Sequence, residues 1–185
     1  MRIWNVDAVM LVGSMVFSGW MVGTQLQAGT EGTAKQAGQD TFSKPDRVVG
    51  ELYDLVTFPA GKTPDWEQVK SLFIEEAVIV LRTGVDRTSI FTVDTFVQDF
   101  MSFIERSRVE ETGFEERILR MDSTIYGDIA TVLVLYQASF PGRPRPPQQG
   151  IDVFQLIRSK DGWKIVAITN ERVTPDRSLP EELQE

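Results

Sequence analysis

The sequence predicts an α+β domain in which helices early in the chain cover one face of a curved antiparallel sheet made by its later part. Two observations set the class. Before residue 106, apolar residues recur at helical spacing in three separate segments. From Phe114 to Val173 the chain instead reads as four antiparallel strands, closing on Asp161-Gly162-Trp163-Lys164-Ile165-Val166. A third feature, apolar residues on both faces of the second of these strands, implies that the sheet is covered on its outer side as well.

The chain has 185 residues, enough for one domain with a sizeable core plus short additions. Its net charge of −8 argues against nucleic acid as a partner, because phosphate binding needs a basic surface. There is no cysteine, which removes disulfides, thiolate nucleophiles and thiolate metal ligands. There is no histidine either, which removes the Ser-His-Asp arrangement, the commonest zinc ligand and the usual general base near pH 7. No metal-ligand spacing or phosphate loop is present, so neither metal nor cofactor is expected. Any catalysis must run on carboxylates, Tyr, Lys, Arg or water, with strongly shifted pKa values.

Residues 1–28 hold an uncharged apolar run, Ala8–Val22, of signal-peptide length and short for a membrane span. They are read as a signal peptide or an N-terminal membrane anchor. The protein is therefore expected to be exported, periplasmic or extracellular, or tethered by that segment if it stays uncleaved, with a cytoplasmic location the lesser alternative. Residues 29–44, rich in Gly, Thr, Gln and Ala without apolar periodicity, read as a flexible linker.

The domain is expected over residues 45–173. The first helix, Pro45–Phe58, has Pro45 in its first turn and a buried stripe of Val48, Val49, Leu52, Tyr53 and Val56. A second helix is predicted from an N-cap at Thr63 and Pro64 at its first position, burying Trp66, Val69, Leu72 and Phe73. Ala77–Arg82 is a β-branched strand, and Thr88–Phe91 is expected to pair with it. The third helix, Val93 to about Glu105, follows an N-cap at Thr92 and carries Phe96, Val97, Phe100, Phe103 and Ile104 on one face.

The closing strands are predicted as Phe114–Tyr126, Ile129–Phe140, Ile151–Arg158 and Trp163–Arg172, with hairpin turns at Gly127-Asp128 and Lys160-Asp161-Gly162. The proline-rich segment between the middle two cannot continue a sheet and reads as a solvated loop. Residues 174–185 read as a frayed, acidic C-terminal tail. In the second strand Ala130, Val132, Val134 and Tyr136 lie on one face and Ile129, Leu133 and Leu135 on the other. The second apolar face predicts a homodimer through the outer sheet face.

Three segments carry a family resemblance: Leu72-Phe73-Ile74-Glu75-Glu76-Ala77, Gly150-Ile151-Asp152-Val153-Phe154-Gln155-Leu156, and Asp161-Gly162-Trp163-Lys164-Ile165-Val166. With the order of elements, they resemble the nuclear transport factor 2-like superfamily, closest to its SnoaL-like and ketosteroid isomerase-like branches. The resemblance implies a cone-shaped curved antiparallel sheet wrapped around three N-terminal helices. It says little of function, since this scaffold hosts isomerases, dehydratases, epoxide hydrolases and non-catalytic binding domains. Tyr53 stands where the ketosteroid isomerases carry an oxyanion-hole tyrosine, but their base and second acid would fall near Leu81 and Gln149, which are not acids. Scytalone dehydratase-like chemistry needs histidines. Arg82, Asp122 and Asp152 are of the types used by limonene epoxide hydrolase-like enzymes, with no motif that places them together.

Candidate residues for the mouth of the cone are Tyr53, Arg82, Tyr136, Asp152 and Asn170, polar groups among apolar positions, with Arg82 expected to pair with Asp152 or Asp122. The favoured expectation is non-catalytic binding of a small apolar or amphipathic molecule in the cavity. The alternatives are a histidine-independent acid–base enzyme, with Asp152 or Asp122 as base, and an interaction module whose cavity is filled by its own side chains. A buried carboxyl with a raised pKa beside an open cavity is the feature that favours the acid–base reading.

Overall fold

A computed structural model of the protein describes residues 41–84 and 87–184, with backbone alone at 83 and 84. The predicted signal or anchor segment and most of the linker lie outside the described residues.

Helix α1 (Pro45–Val56) starts with Pro45 in the first turn and Asp46 beside it, both favourable where backbone N–H groups are unpaired. Its buried face is the predicted stripe, Val48, Val49, Leu52, Tyr53 and Val56. Helix α2 is shorter than expected, Trp66–Ser71, and its N-cap is Asp65 rather than Thr63. The Asp65 carboxylate accepts from the Gln68 N–H at 3.1 Å, so Pro64 falls outside the helix and not at its first position. Leu72 caps the C-terminus, and Phe73, expected on the helix, already belongs to a strand. Helix α3 (Val93–Ser107) begins at Thr92 as predicted, with a reciprocal capping box between Thr92 and Thr95. It buries Val93, Val97, Phe100, Phe103 and Ile104, and ends at Arg108 in the left-handed region.

The strands are β1 (Phe58–Pro59), β2 (Phe73–Gly84), β3 (Arg87–Phe91), β4 (Gly113–Tyr126), β5 (Ile129–Ser139), β6 (Gln148–Ser159) and β7 (Gly162–Arg172). They form one sheet in the order β1-β4-β5-β6-β7-β2-β3. The β4–β7 meander occupies the predicted ranges, give or take three residues. The sheet is mixed rather than wholly antiparallel, because β2 runs parallel to β7. Adjacent meander strands join by hairpins, whereas β2 and β7 are separated by most of the domain, so no tight turn dictates their sense.

Inward alternation places Ala130, Val132, Val134 and Tyr136 of β5, with Phe154 and Leu156 of β6, in the core against Tyr53, Phe100 and Phe103. On the outer face Leu133 pairs across to Asp122 and Val153, and Val80 to Thr169 and Ile90. This face is partly open, with Val78 41% and Ile90 72% exposed.

The C-terminal tail is not simply frayed. Arg177 pairs with Glu171 at 2.8 Å, and Arg120 Nη1 donates to the Glu182 carbonyl at 2.6 Å, which holds the tail against β4. The proline-rich loop is also docked: Arg143 donates to the Ser107 and Arg108 carbonyls at 2.5 and 3.0 Å and covers the Phe140 ring. Those are the last carbonyls of α3, the place where a cation is favoured.

Candidate functional site

Tyr53 projects from the buried stripe of α1 into the concave side of the sheet and is only 4% exposed. Its ring lies 6.3 Å from both Tyr136 and Phe154, tilted to each. A buried tyrosine hydroxyl needs a partner, and Tyr53 donates to Asp152 Oδ2 at 2.5 Å. Asp152 sits in mid-β6, register-paired with Val134 on one side and Asn170 on the other. Asn170 Nδ2 donates to Asp152 Oδ1 at 2.6 Å and to the Tyr136 hydroxyl at 3.0 Å. Among the described residues, the Tyr136 hydroxyl proton has no acceptor. Tyr136 lies over Gly150, its register partner, where a Cβ would collide with the phenol ring.

These four side chains line a cavity of about 90 Å³ that opens to solvent. Its apolar wall includes Leu52, Val56, Ile79, Phe96, Phe100 and Ile168. An engineered cavity of about 150 Å³ holds benzene, so the enclosed part here suits a short branched alkyl group or one edge of a ring.

The same cavity is lined by Glu116, which faces inward from β4. Thr57, the C-cap of α1, fixes the Glu116 backbone by donating to its carbonyl at 3.0 Å and accepting from its N–H at 2.9 Å. The Glu116 carboxyl itself has no hydrogen-bond partner among the described residues. Burial pushes its pKa up to about 8, helped by the nearby Asp152 charge. Asp152 is raised to about 6, again by burial, with the hydrogen bonds from Tyr53 and Asn170 pulling the other way. Desolvation first, and then the charge of Asp152, raises the Tyr53 and Tyr136 hydroxyls above their ordinary value, so both stay neutral. Of the two raised carboxyls Glu116 is held the more strongly in its neutral form, and the Tyr136 hydroxyl keeps a proton that no described residue accepts.

All five sequence-predicted residues line this one cavity. Arg82, however, pairs with Glu171 at 3.7 Å and not with either expected aspartate. Asp122 is on the outer face, bound to Arg120 at 2.7 Å, so Arg82, Asp122 and Asp152 do not form a water-activating set. Two lining residues escaped the sequence reading, Glu116 and Arg172. Glu116 shows as the one acid in the inward series Phe114, Glu116, Ile118, and Arg172 continues the inward series Ile168, Asn170. Among the described residues, no cluster of three or more acidic side chains is placed to hold a metal ion, and no helix is long and apolar enough to cross a membrane.

No family model matches the chain, and no curated protein matches it in sequence. Solved structures do. A nuclear transport factor 2-like protein with a cystatin-like fold from Novosphingobium aromaticivorans is 14% identical, with a TM-score of 0.54 over 83% of this chain and 96% of that one. A proposed scytalone dehydratase from the same organism is 11% identical, with a TM-score of 0.52 over 77% of this chain and 89% of that one. At these identities the likeness is one of fold: the chain has the α+β cone of the nuclear transport factor 2-like proteins.

Proposed function

We propose that this nuclear transport factor 2-like cone binds a small, mainly apolar molecule and moves a proton to or from it, with Asp152 as the base. The observation that carries the reading is the pair of carboxyls in one apolar cavity, Asp152 near 6 and Glu116 near 8. Environments that push two acids apart in this way are how one site supplies both a base and an acid at neutral pH. Tyr53 and Asn170 hold the Asp152 carboxylate, while Glu116 and Tyr136 have protons to give to an oxygen that gains charge. The fitting substrate is a compact molecule with an acidic C–H beside a carbonyl. This moves the balance from passive binding toward the acid–base alternative.

Deuterium exchange at such positions tests it. A panel of small enolisable ketones, incubated with the full chain in D₂O and followed by NMR, is expected to exchange fastest between about pH 6 and pH 8. Asp152→Asn keeps the shape and removes the base, and is expected to slow exchange by about 10²–10⁴-fold. Equal exchange by the variant and the parent overturns the assignment of Asp152.

We also propose that the open outer face, with Val78, Val80, Ile90, Leu133 and Val153, is covered by a second copy of the chain. Apolar residues on β5 and β6 and on β2 and β3, on either side of β7, support this reading.

A further inference from the structure

A second apolar zone lies on the sheet, apart from the face that carries Val78 and Leu133. Tyr126 and Ile129 close the β4–β5 hairpin as register partners, and Ile157 of β6 pairs with Ile129. The three share one row and one face, with Tyr126 84% and Ile129 58% exposed and Ile157 exposed beside them. The next row on that face is polar, Thr124, Thr131 and Gln155, with the Thr131 hydroxyl donating to Gln155 Oε1 at 3.1 Å. Ile125, also exposed, points to the opposite face of the same hairpin. The tip is therefore apolar on both sides of its Gly127-Asp128 turn.

The chain enters the fold at this same end. The Phe42 carbonyl accepts from the Trp163 N–H at 3.0 Å, and a Cβ at Gly162 would collide with Phe42. The Phe42 ring centre lies 4.0 Å from the ammonium of Lys164, the register partner of Ile157. The uncharged run Ala8–Val22 is thus joined to the fold beside the apolar tip, through residues 23–41. A flexible linker of that length spans only about 25 Å on average, so a surface that holds Ala8–Val22 meets this end of the domain first. A second copy of the chain suits the tip poorly. Four side chains fall short of the roughly 800 Å² per partner of a stable interface, and they are split over two faces. A lipid surface takes a protruding tip from all sides, and a tyrosine, apolar in its ring and polar at its hydroxyl, suits the headgroup boundary.

We propose that this hairpin end docks on a lipid bilayer, with Ile125, Ile129 and Ile157 at the acyl boundary and Tyr126 at headgroup level, beside the point where the Ala8–Val22 run tethers the domain. The proposal rests on the anchor reading of the N-terminal segment and is independent of the proton-transfer reading. The tether makes docking an intramolecular step, which supplies the local concentration that four apolar side chains alone lack. Asp152 lies five residues from Ile157 along β6, about 16 Å at 3.3 Å per residue, so docking leaves the polar groups of the cavity clear of lipid.

The chain has no cysteine, so a single introduced one takes a nitroxide label without a competitor. Tyr126→Cys places the label at the tip, and Pro144→Cys places it in the exposed loop between β5 and β6, at the other end of those strands. Each labelled full chain is mixed with phosphatidylcholine vesicles, and electron paramagnetic resonance reads the access of a water-soluble nickel chelate to the label. The label at position 126 is expected to lose that access when vesicles are added, while the label at position 144 keeps it. Adding Ile129→Ser and Ile157→Ser to the Tyr126→Cys chain is expected to restore access on the vesicle, with the circular dichroism of the fold unchanged. Equal access at both positions in the vesicle-bound chain overturns the proposal. A label at position 126 that stays shielded in the serine variant overturns it too, since the tether alone then accounts for the shielding. Shielding at position 126 before vesicles are added means that a second copy or the chain's own apolar run covers the tip, and this also overturns it. A chain that stays off the vesicles refutes tether and docking together.

Discussion

Glu116 is the residue at which stability and chemistry oppose each other. Its carboxyl faces an apolar wall beside Asp152 without a hydrogen-bond partner among the described residues, so the folded state favours its neutral form. A carboxyl raised from 4.5 to about 8 contributes its full stability below pH 4.5 and loses it as the pH climbs through about 8. Glu116→Gln removes that dependence. The variant is expected to match the parent near pH 4.5 and to exceed it by about 1–3 kcal/mol above pH 8, where the parent must either ionise a buried carboxyl or hold its proton against solution. Denaturant midpoints at the two pH values check this, and an unchanged difference between them refutes the burial of a titrating carboxyl. Tyr53, Asp152 and Asn170 were legible in the sequence because each is polar within an apolar period. Glu116 was equally visible by alternation along β4. What the sequence lacked was the partner of each group, since Tyr53 and Asp152 meet across 99 residues.

At the scale of elements, the helices show where local chemistry decides and where it does not. Thr92 and Thr95 cap α3 reciprocally, the Thr95 hydroxyl accepting from the Thr92 N–H at 2.9 Å and the Thr92 hydroxyl from the Thr95 N–H at 3.3 Å. Such a box depends on four consecutive residues and was readable directly. Thr92→Ala is expected to cost about 1 kcal/mol, seen as a lower thermal midpoint with the fold retained. The start of α2 misled because Thr63-Pro64 and Asp65 both offer a start signal. The side chain of Asp65 wins, since it reaches the Gln68 N–H. Phe73 was drawn out of the helix by pairing with Ile165 of β7, a contact that no local rule reports. The same holds for the parallel sense of β2. Hairpins announce themselves through Gly127 and Gly162, both at positive φ, but the closing pair has no turn to read.

For the whole molecule, the outer face makes the strongest demand. Ile90 and Val78 stand exposed there, and neither is part of the core. If a second copy covers this face, the full chain sediments as a dimer, and Val78→Lys with Ile90→Lys yields a folded monomer. A parent that sediments as a monomer at micromolar concentration removes the need for the second layer. The parallel junction of β2 with β7 has a further consequence, in time rather than in space. The β4–β7 meander is made of neighbouring hairpins and can zip up early, whereas β2 must be brought back across most of the chain to join it. Asn170 and Arg172 wait on one side of that seam, and Leu81 and Arg82 arrive with the other. A chain still emerging from the ribosome thus has no cavity to fill, and a bound ligand favours only the finished cone.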